Sequence, residues 1–148
     1  MAKNRRSNKI SDHFSKRDFT CKCGTCNESF KLGLGLVGGL ELLRDKAQNR
    51  INIIKGYSCS DAAEKEGTIK RNYHILGVAA DITIDNLSLI ETFKLAEGVP
   101  EFMGIGLDFS GNHVHVDIRK LPERHTWVVK NGKEFELTHQ NRDDLLVE

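Results

Sequence analysis

The sequence predicts a single α+β domain, with a small, mainly antiparallel sheet and flanking helices, and three observations carry that expectation. A chain of 148 residues with 39% hydrophobic content is long enough to bury one substantial core. One long stretch repeats its apolar residues at a helical period, while several shorter ones are β-branched and bounded by Gly or Asn. Helices and strands in this mixture, with a hairpin-rich second half, argue for α+β rather than a purely helical or purely stranded architecture.

Residues 1–9 read as a basic N-terminal arm containing Lys3, Arg5, Arg6 and Lys9, with Lys16 and Arg17 just beyond it. A solvated terminus accounts for such a charge run. ISDHFSKRDF (10–19) suggests a short opening helix with Phe14 and Phe19 turned inward. From Leu34 to Gln48 the apolar residues Leu36, Val37, Leu40, Leu43 and Ala47 keep a helical period despite Gly38 and Gly39. INIIK (51–55) is β-branched and stops at Gly56, so it reads as a strand. GVAADITI (77–84) reads as a second strand, and NLSLIETFKLAEG (86–98) as an amphipathic helix with Asn86 as N-cap and Gly98 closing it. GIGLD (104–108) and HVHVDIR (113–119) are further strands around an FSGN turn. TWVVKNGKEFEL (126–137) reads as a hairpin on Asn131-Gly132. The domain is expected to span 10–138, followed by an acidic tail over 139–148 that holds Asp143, Asp144 and Glu148.

A formal net charge of +1 leaves no footprint for phosphate, so nucleic acid is not expected as a partner. No apolar run approaches the roughly 20 residues that span a bilayer, so no membrane insertion is expected. The opening MAKNRRSNKISDHF carries charge with no apolar run behind it, so no secretory signal is visible and synthesis in the cytoplasm is expected. Four cysteines, Cys21, Cys23, Cys26 and Cys59, leave three readings open: a small structural metal site, one or two disulfides, or thiols. Structural zinc sites usually pair two C-x-x-C knuckles, and CKCGTC supplies one plus an extra cysteine. The lack of a visible leader disfavours disulfides at synthesis.

The chemistry concentrates in NYHILGVAADI (72–82) and HVHVDIR (113–119), which hold three of the six histidines. On one helix His74 and Asp81 would stand about 10 Å apart along the axis, and on one strand they would point to opposite faces about 23 Å apart. They converge only if the chain turns between them, and Gly77 supplies the place. Asp81 then lies between Ala80 and Ile82 in an apolar strand, where an ionised carboxylate is costly unless paired or bound to a metal. Strand alternation puts His113, His115 and Asp117 on one face. Geometry therefore offers His74, Asp81, His113 and His115 as candidate ligands. With all four bound, zinc would be closed and structural; with three, a position would stay open for water and catalysis. Spacing alone does not choose between these.

The two runs resemble the zinc D-Ala-D-Ala carboxypeptidase and L-alanyl-D-glutamate endopeptidase family, whose pattern is S-x-H-x-x-G-x-A-x-D followed by H-x-H or x-x-H. The match falls on His74, Gly77, Ala79, Asp81, His113 and His115. ISDHFSKRDFTCKCG, LELLR, KGYSC after INII, and GIG before HVHVD also resemble the small bacterial and phage branch, so the likeness covers roughly residues 10–130. It implies the fold shared with the hedgehog signalling domain, and hydrolysis of amide bonds in peptidoglycan stem peptides. It implies His74, Asp81 and His115 as ligands of one catalytic Zn2+, with a water of lowered pKa in the fourth position. His113 would then act as the catalytic base or on the tetrahedral intermediate. Asp117 would orient a histidine from behind or simply serve the structure.

Three positions depart from the family pattern. Asn72 replaces the usual Ser, and Asn112 stands where several branches carry an acidic base, which leaves His113 as the base, with Asp108 in reserve. KGYS puts Ser58 where the family has an arginine for a substrate carboxylate; Arg71 or Lys55 would have to substitute, though a lysine lacks the bidentate fork. The expected function is a zinc peptidase of the cell wall or periplasm, with endopeptidase action favoured over carboxypeptidase action, as in a phage-type lysin. The alternative is a wall-binding or virion-structural domain that keeps zinc for stability. A second, structural ion at the cysteines is compatible with either.

Overall fold

The computed structural model describes residues 9–23, 30–59 and 72–147; most of the basic arm, together with Cys26 and Arg71, falls outside them. Its frame is a six-stranded sheet in the order β1-β2-β4-β3-β5-β6. The strands are β1 (Ile51–Lys55), β2 (Ala79–Ile84), β3 (Gly104–Asp108), β4 (His113–Asp117), β5 (His125–Lys130) and β6 (Lys133–Glu136). Neighbours pair antiparallel except β3 and β5, which are parallel. Among the described residues four helices accompany the sheet: α1 (Lys16–Phe19), α2 (Leu34–Ala47), α3 (Leu89–Glu97) and α4 (Arg142–Leu145). The α+β class expected from the sequence is the one observed. No helix among the described residues is long and apolar enough to cross a membrane.

Helix α2 buries Leu36, Val37, Leu40, Leu43 and Ala47, the same residues that mark its period, and ends on Gln48 in a left-handed conformation whose N–H bonds the Arg44 carbonyl. Gly39 lowers helix propensity, but a Cβ there would stand 2.6 Å from the Phe102 ring, so the glycine makes room for an aromatic in the core. Helix α3 starts later than its sequence suggests. Its N-cap is Ser88, not Asn86. Ser88 Oγ accepts the Glu91 N–H at 3.1 Å and Glu91 accepts the Ser88 N–H at 3.0 Å, closing a reciprocal capping box. Asn86 instead adopts φ 67 in the turn that leaves β2.

Alternation sorts the sheet into two faces. Ala80, Ile82 and Ile84 of β2, Val114 and Val116 of β4, Ile105 and Leu107 of β3, and Val128 of β5 join Leu36, Leu40, Leu43, Phe93 and Phe102 in one buried core. On the opposite face the register lines up Lys55, Asp81, His115, Gly106 and Trp127 in one row across β1, β2, β4, β3 and β5. The core lies on one side of the sheet and this row on the other. Beyond residue 138 the chain folds back. Arg142 donates to both carboxylate oxygens of Glu97, and Leu145 and Leu146 pack against the core.

Two glycines with positive φ test this account. Gly132 (φ 75) follows Asn131 (φ 52) in the β5–β6 hairpin, with nothing near a would-be Cβ, whereas Gly77 (φ 73) would place its Cβ 2.3 Å from the Lys31 carbonyl oxygen. In urea unfolding, Gly132→Ala is expected to lose about 1–2 kcal/mol through backbone conformation alone. Gly77→Ala should lose a further ~1–3 kcal/mol through overlap with packed backbone. Equal losses would show that the segment around Lys31 yields.

Candidate metal centre

The turn demanded between His74 and Asp81 is present. Gly77 N–H bonds the His74 carbonyl at 3.1 Å and Val78 N–H bonds the Tyr73 carbonyl at 3.2 Å, after which the chain enters β2. The loop thereby returns the His74 ring over the strand, with Nε2 3.3 Å from Asp81 Oδ1. His115, opposite Asp81 in the β2–β4 register, brings Nδ1 to 2.9 Å from the same oxygen. One donor atom each from His74, Asp81 and His115 lie within 4.8 Å of one another.

Each imidazole is oriented from behind. His74 Nδ1–H donates to the Gly56 carbonyl at 2.8 Å, and its backbone N–H donates to Asn72 Oδ1 at 2.9 Å. His115 Nε2–H donates to Asp117 Oδ2 at 2.6 Å. Asp117 is fully buried, and Arg119 holds it through a fork, Nε to Oδ1 at 2.8 Å and a terminal nitrogen to Oδ2 at 2.7 Å. Asp117 is therefore no surface residue. It fixes the His115 ring with Nδ1 toward Asp81, the outer-shell arrangement by which proteins set the face a histidine shows to a metal.

The electrostatics follow from burial set against pairing. Burial works against the charge on Asp81, but hydrogen bonds from His115 and His74 outweigh it and hold the carboxyl far below the usual carboxylate range. Burial also opposes a charged His115, yet its bonds to Asp117 and Asp81 raise it to about 9. For Asp117, burial is overcome by His115 and Arg119, and its carboxyl too lies well below the ordinary range.

Two imidazoles and one carboxylate converging from one side are the donor set of a catalytic zinc with an open fourth position. Donors about 2.1 Å from a tetrahedral ion stand about 3.4 Å apart, close to the 3.3 Å between His74 and Asp81. His113 is not part of this mutually close trio. Its Nε2 lies 3.5 Å from Asp81 Oδ2 and 3.8 Å from Asp108 Oδ2, and its Nδ1 lies 3.2 Å from the Gly111 carbonyl. The four candidate ligands thus divide into three plus one at the rim.

The trio sits in a cleft of about 380 Å³ whose lining includes Lys55, Asn72, Asp108 and His113, with Tyr73, Arg119, His125 and Trp127 at its walls. Ser58 is buried and outside that lining, with its Oγ lacking a partner among the described residues. Cys21, Cys23 and Cys59 gather in a separate cluster, none of them in the lining.

The profile of the peptidase M15 family matches residues 12–117, a span that contains every member of the trio and His113. The chain belongs to the peptidase M15 family. That makes it a peptidase, of a family whose members use zinc, and the His74, Asp81 and His115 group is its candidate metal centre. No curated protein matches the chain.

Sequence reasoning missed the aromatic and cationic walls of this M15 cleft. The Arg119 guanidinium lies 4.2 Å from the Tyr73 ring centre and 5.1 Å from that of Trp127, and the Trp127 ring lies 5.4 Å from His115. Signals for both were present. Arg119 continues the alternation of His113, His115 and Asp117, and Gly106 lacks a side chain between His115 and Trp127, where a Cβ would stand 2.2 Å from the indole.

A proton competes with the ion. Because His115 is raised to about 9, it carries a proton on each nitrogen below that pH, and a metal at Nδ1 must displace one. Zinc affinity of chelator-stripped protein should therefore climb about tenfold per pH unit up to about 9 and level off above it. Calorimetry at pH 7 in buffers of different ionisation enthalpy should register about one proton released per ion. Affinity independent of pH across this window would mean that the ion displaces no proton from His115.

Proposed function

We propose that this M15 peptidase is a zinc endopeptidase that hydrolyses an internal amide bond of peptidoglycan stem peptides. The observation that carries the reading is the trio His74, Asp81 and His115 lining an open cleft with His113 beside it, outside the trio. A bound zinc would supply Lewis acidity there, polarising the scissile carbonyl and lowering the pKa of water.

The chain's own residues do the rest. Gly56 and Asp117 hold the two imidazoles so that one nitrogen of each stays turned to Asp81. His113, with Nδ1 toward the Gly111 carbonyl, presents Nε2 to the cleft. From there it takes the proton of the attacking water and delivers it to the leaving amine. Asp108 sits 3.8 Å from that nitrogen, at the same end of the cleft. Tyr73, Trp127 and His125 wall the cleft with flat apolar surface suited to packing along a peptide backbone.

Two observations support internal cleavage over capture of a terminal carboxylate. Ser58, at the family's arginine position, is buried and does not line the cleft. Arg119 does line it, but two of its three guanidinium nitrogens already serve Asp117. The site of action would be the cell wall or periplasm, reached in the manner of a phage-type lysin.

Digestion of purified peptidoglycan, read by mass, tests the substrate and the bond together. Wild type should yield stem peptides cut internally, without free D-alanine. His113→Ala should keep its zinc and fold while hydrolysis falls about 10²–10⁴-fold, the usual loss for a positioned acid–base group. Asp81→Ala should lose the zinc bound at the trio. Fully zinc-loaded wild type that cuts none of several wall types would instead favour a structural, wall-binding domain.

A further inference from the structure

The segment that orients His74 is also tied to a cluster of sulfurs that the peptidase chemistry does not use. Phe19 and Gly56 run side by side so closely that a Cβ on Gly56 would stand 2.6 Å from Phe19 Cα, and Tyr57 N–H bonds the Phe19 carbonyl at 2.7 Å. Two residues further along each segment, the Cys59 N–H donates to Cys21 Sγ at 3.4 Å. Cys23 Sγ lies 3.7 Å from Cys59 Sγ, and the sulfurs of Cys21, Cys23 and Cys59 all lie within 4.8 Å of one another.

These distances discriminate between the chemistries open to thiols. A disulfide requires about 2.05 Å between sulfurs, so Cys23 and Cys59 are not bonded to each other. Sulfurs about 2.3 Å from a tetrahedral zinc stand about 3.8 Å apart. The observed 3.7 Å is that edge. The backbone N–H of Cys59 is directed at Cys21 Sγ, a contact that a metal-bound sulfur also accepts.

We infer that Cys21, Cys23 and Cys59 form a second metal site, a structural thiolate centre for Zn2+ that joins the segment after α1 to the segment after β1. The three thiolates occupy three vertices of a tetrahedron. Each thiol gives its proton to solvent as it binds, and no electron changes hands. The site staples the stretch 56–59, whose Gly56 carbonyl accepts the His74 Nδ1–H and whose Ser58 N–H bonds the His74 carbonyl at 3.2 Å. It acts on the first metal centre only as a brace.

Metal counting and cobalt substitution test the site without relying on activity. Wild type should hold one zinc more per chain than Cys23→Ser, a substitution at the exposed cysteine chosen to spare the core. The Co2+-loaded wild type should show a near-ultraviolet thiolate-to-cobalt charge-transfer band. Asp81→Ala should keep that band although it empties the other centre, and Cys23→Ser should lose or sharply weaken it. Thus a failure of the peptidase reading and a failure of this one give different spectra. Absence of the band from wild type overturns the inference even if Cys23→Ser fails to fold. So does a non-reducing mass lighter by a pair of hydrogens, with peptide mapping that joins Cys23 to Cys59.

Discussion

Asp81 is a carboxylate inside a β-sheet, 8% exposed, on a strand whose other residues are Ala, Ile and Thr. Removing one charge from water costs several kcal/mol even after a protein relaxes around it, so the surroundings must return that energy through close partners. Two imidazoles do so, His115 at 2.9 Å and His74 at 3.3 Å. Much of the remaining architecture follows from keeping those rings in place. Gly77 allows the turn that brings His74 back, the antiparallel β2–β4 register brings His115 opposite, and Gly56 and Asp117 fix the rings.

A second buried carboxylate stands behind the first. Asp117 is more deeply buried than Asp81, and the Arg119 fork compensates its charge while His115 takes a share of it. The result is a chain of alternating charge from Asp81 through His115 and Asp117 to Arg119, anchored at its end by the Tyr73 and Trp127 rings. Cation–π contact of a partly buried guanidinium contributes about 0.5–2 kcal/mol. It also keeps Arg119 aligned with Asp117, which gives the pair a positioning role in addition to its contribution to stability. The glycines of β3 complete the arrangement. Side chains at Gly104 or Gly106 would strike Asp117 or Trp127, so β3 runs beneath the site without filling it.

Much of this was legible in the residues themselves. The helical period of Leu36, Val37, Leu40, Leu43 and Ala47, the Asn131-Gly132 hairpin and the β-branched strands are local patterns, and local patterns survive in one dimension. The start of α3 was misread because Asn86 is a competent cap in isolation, whereas Ser88 and Glu91 complete a reciprocal pair that Asn86 cannot. Asp108 stood in reserve behind His113 in the sequence, and the β3–β4 hairpin pairs the two directly.

By itself the sequence determined which residues are candidates for the chemistry and which face of each strand they take, because alternation and the turn at Gly77 depend only on neighbours along the chain. It put His113, His115 and Asp117 on one face and demanded a partner for Asp81. Tertiary structure decided the division of the four candidate ligands into a close trio of His74, Asp81 and His115 with His113 set apart, the burial of Ser58, and the meeting of Cys21 and Cys23 with Cys59. It also raised Trp127 and Arg119 into the cleft walls. Those outcomes depend on strand order and register, and the parallel β3–β5 pair that sets Trp127 beside Gly106 joins segments whose adjacency no local period encodes.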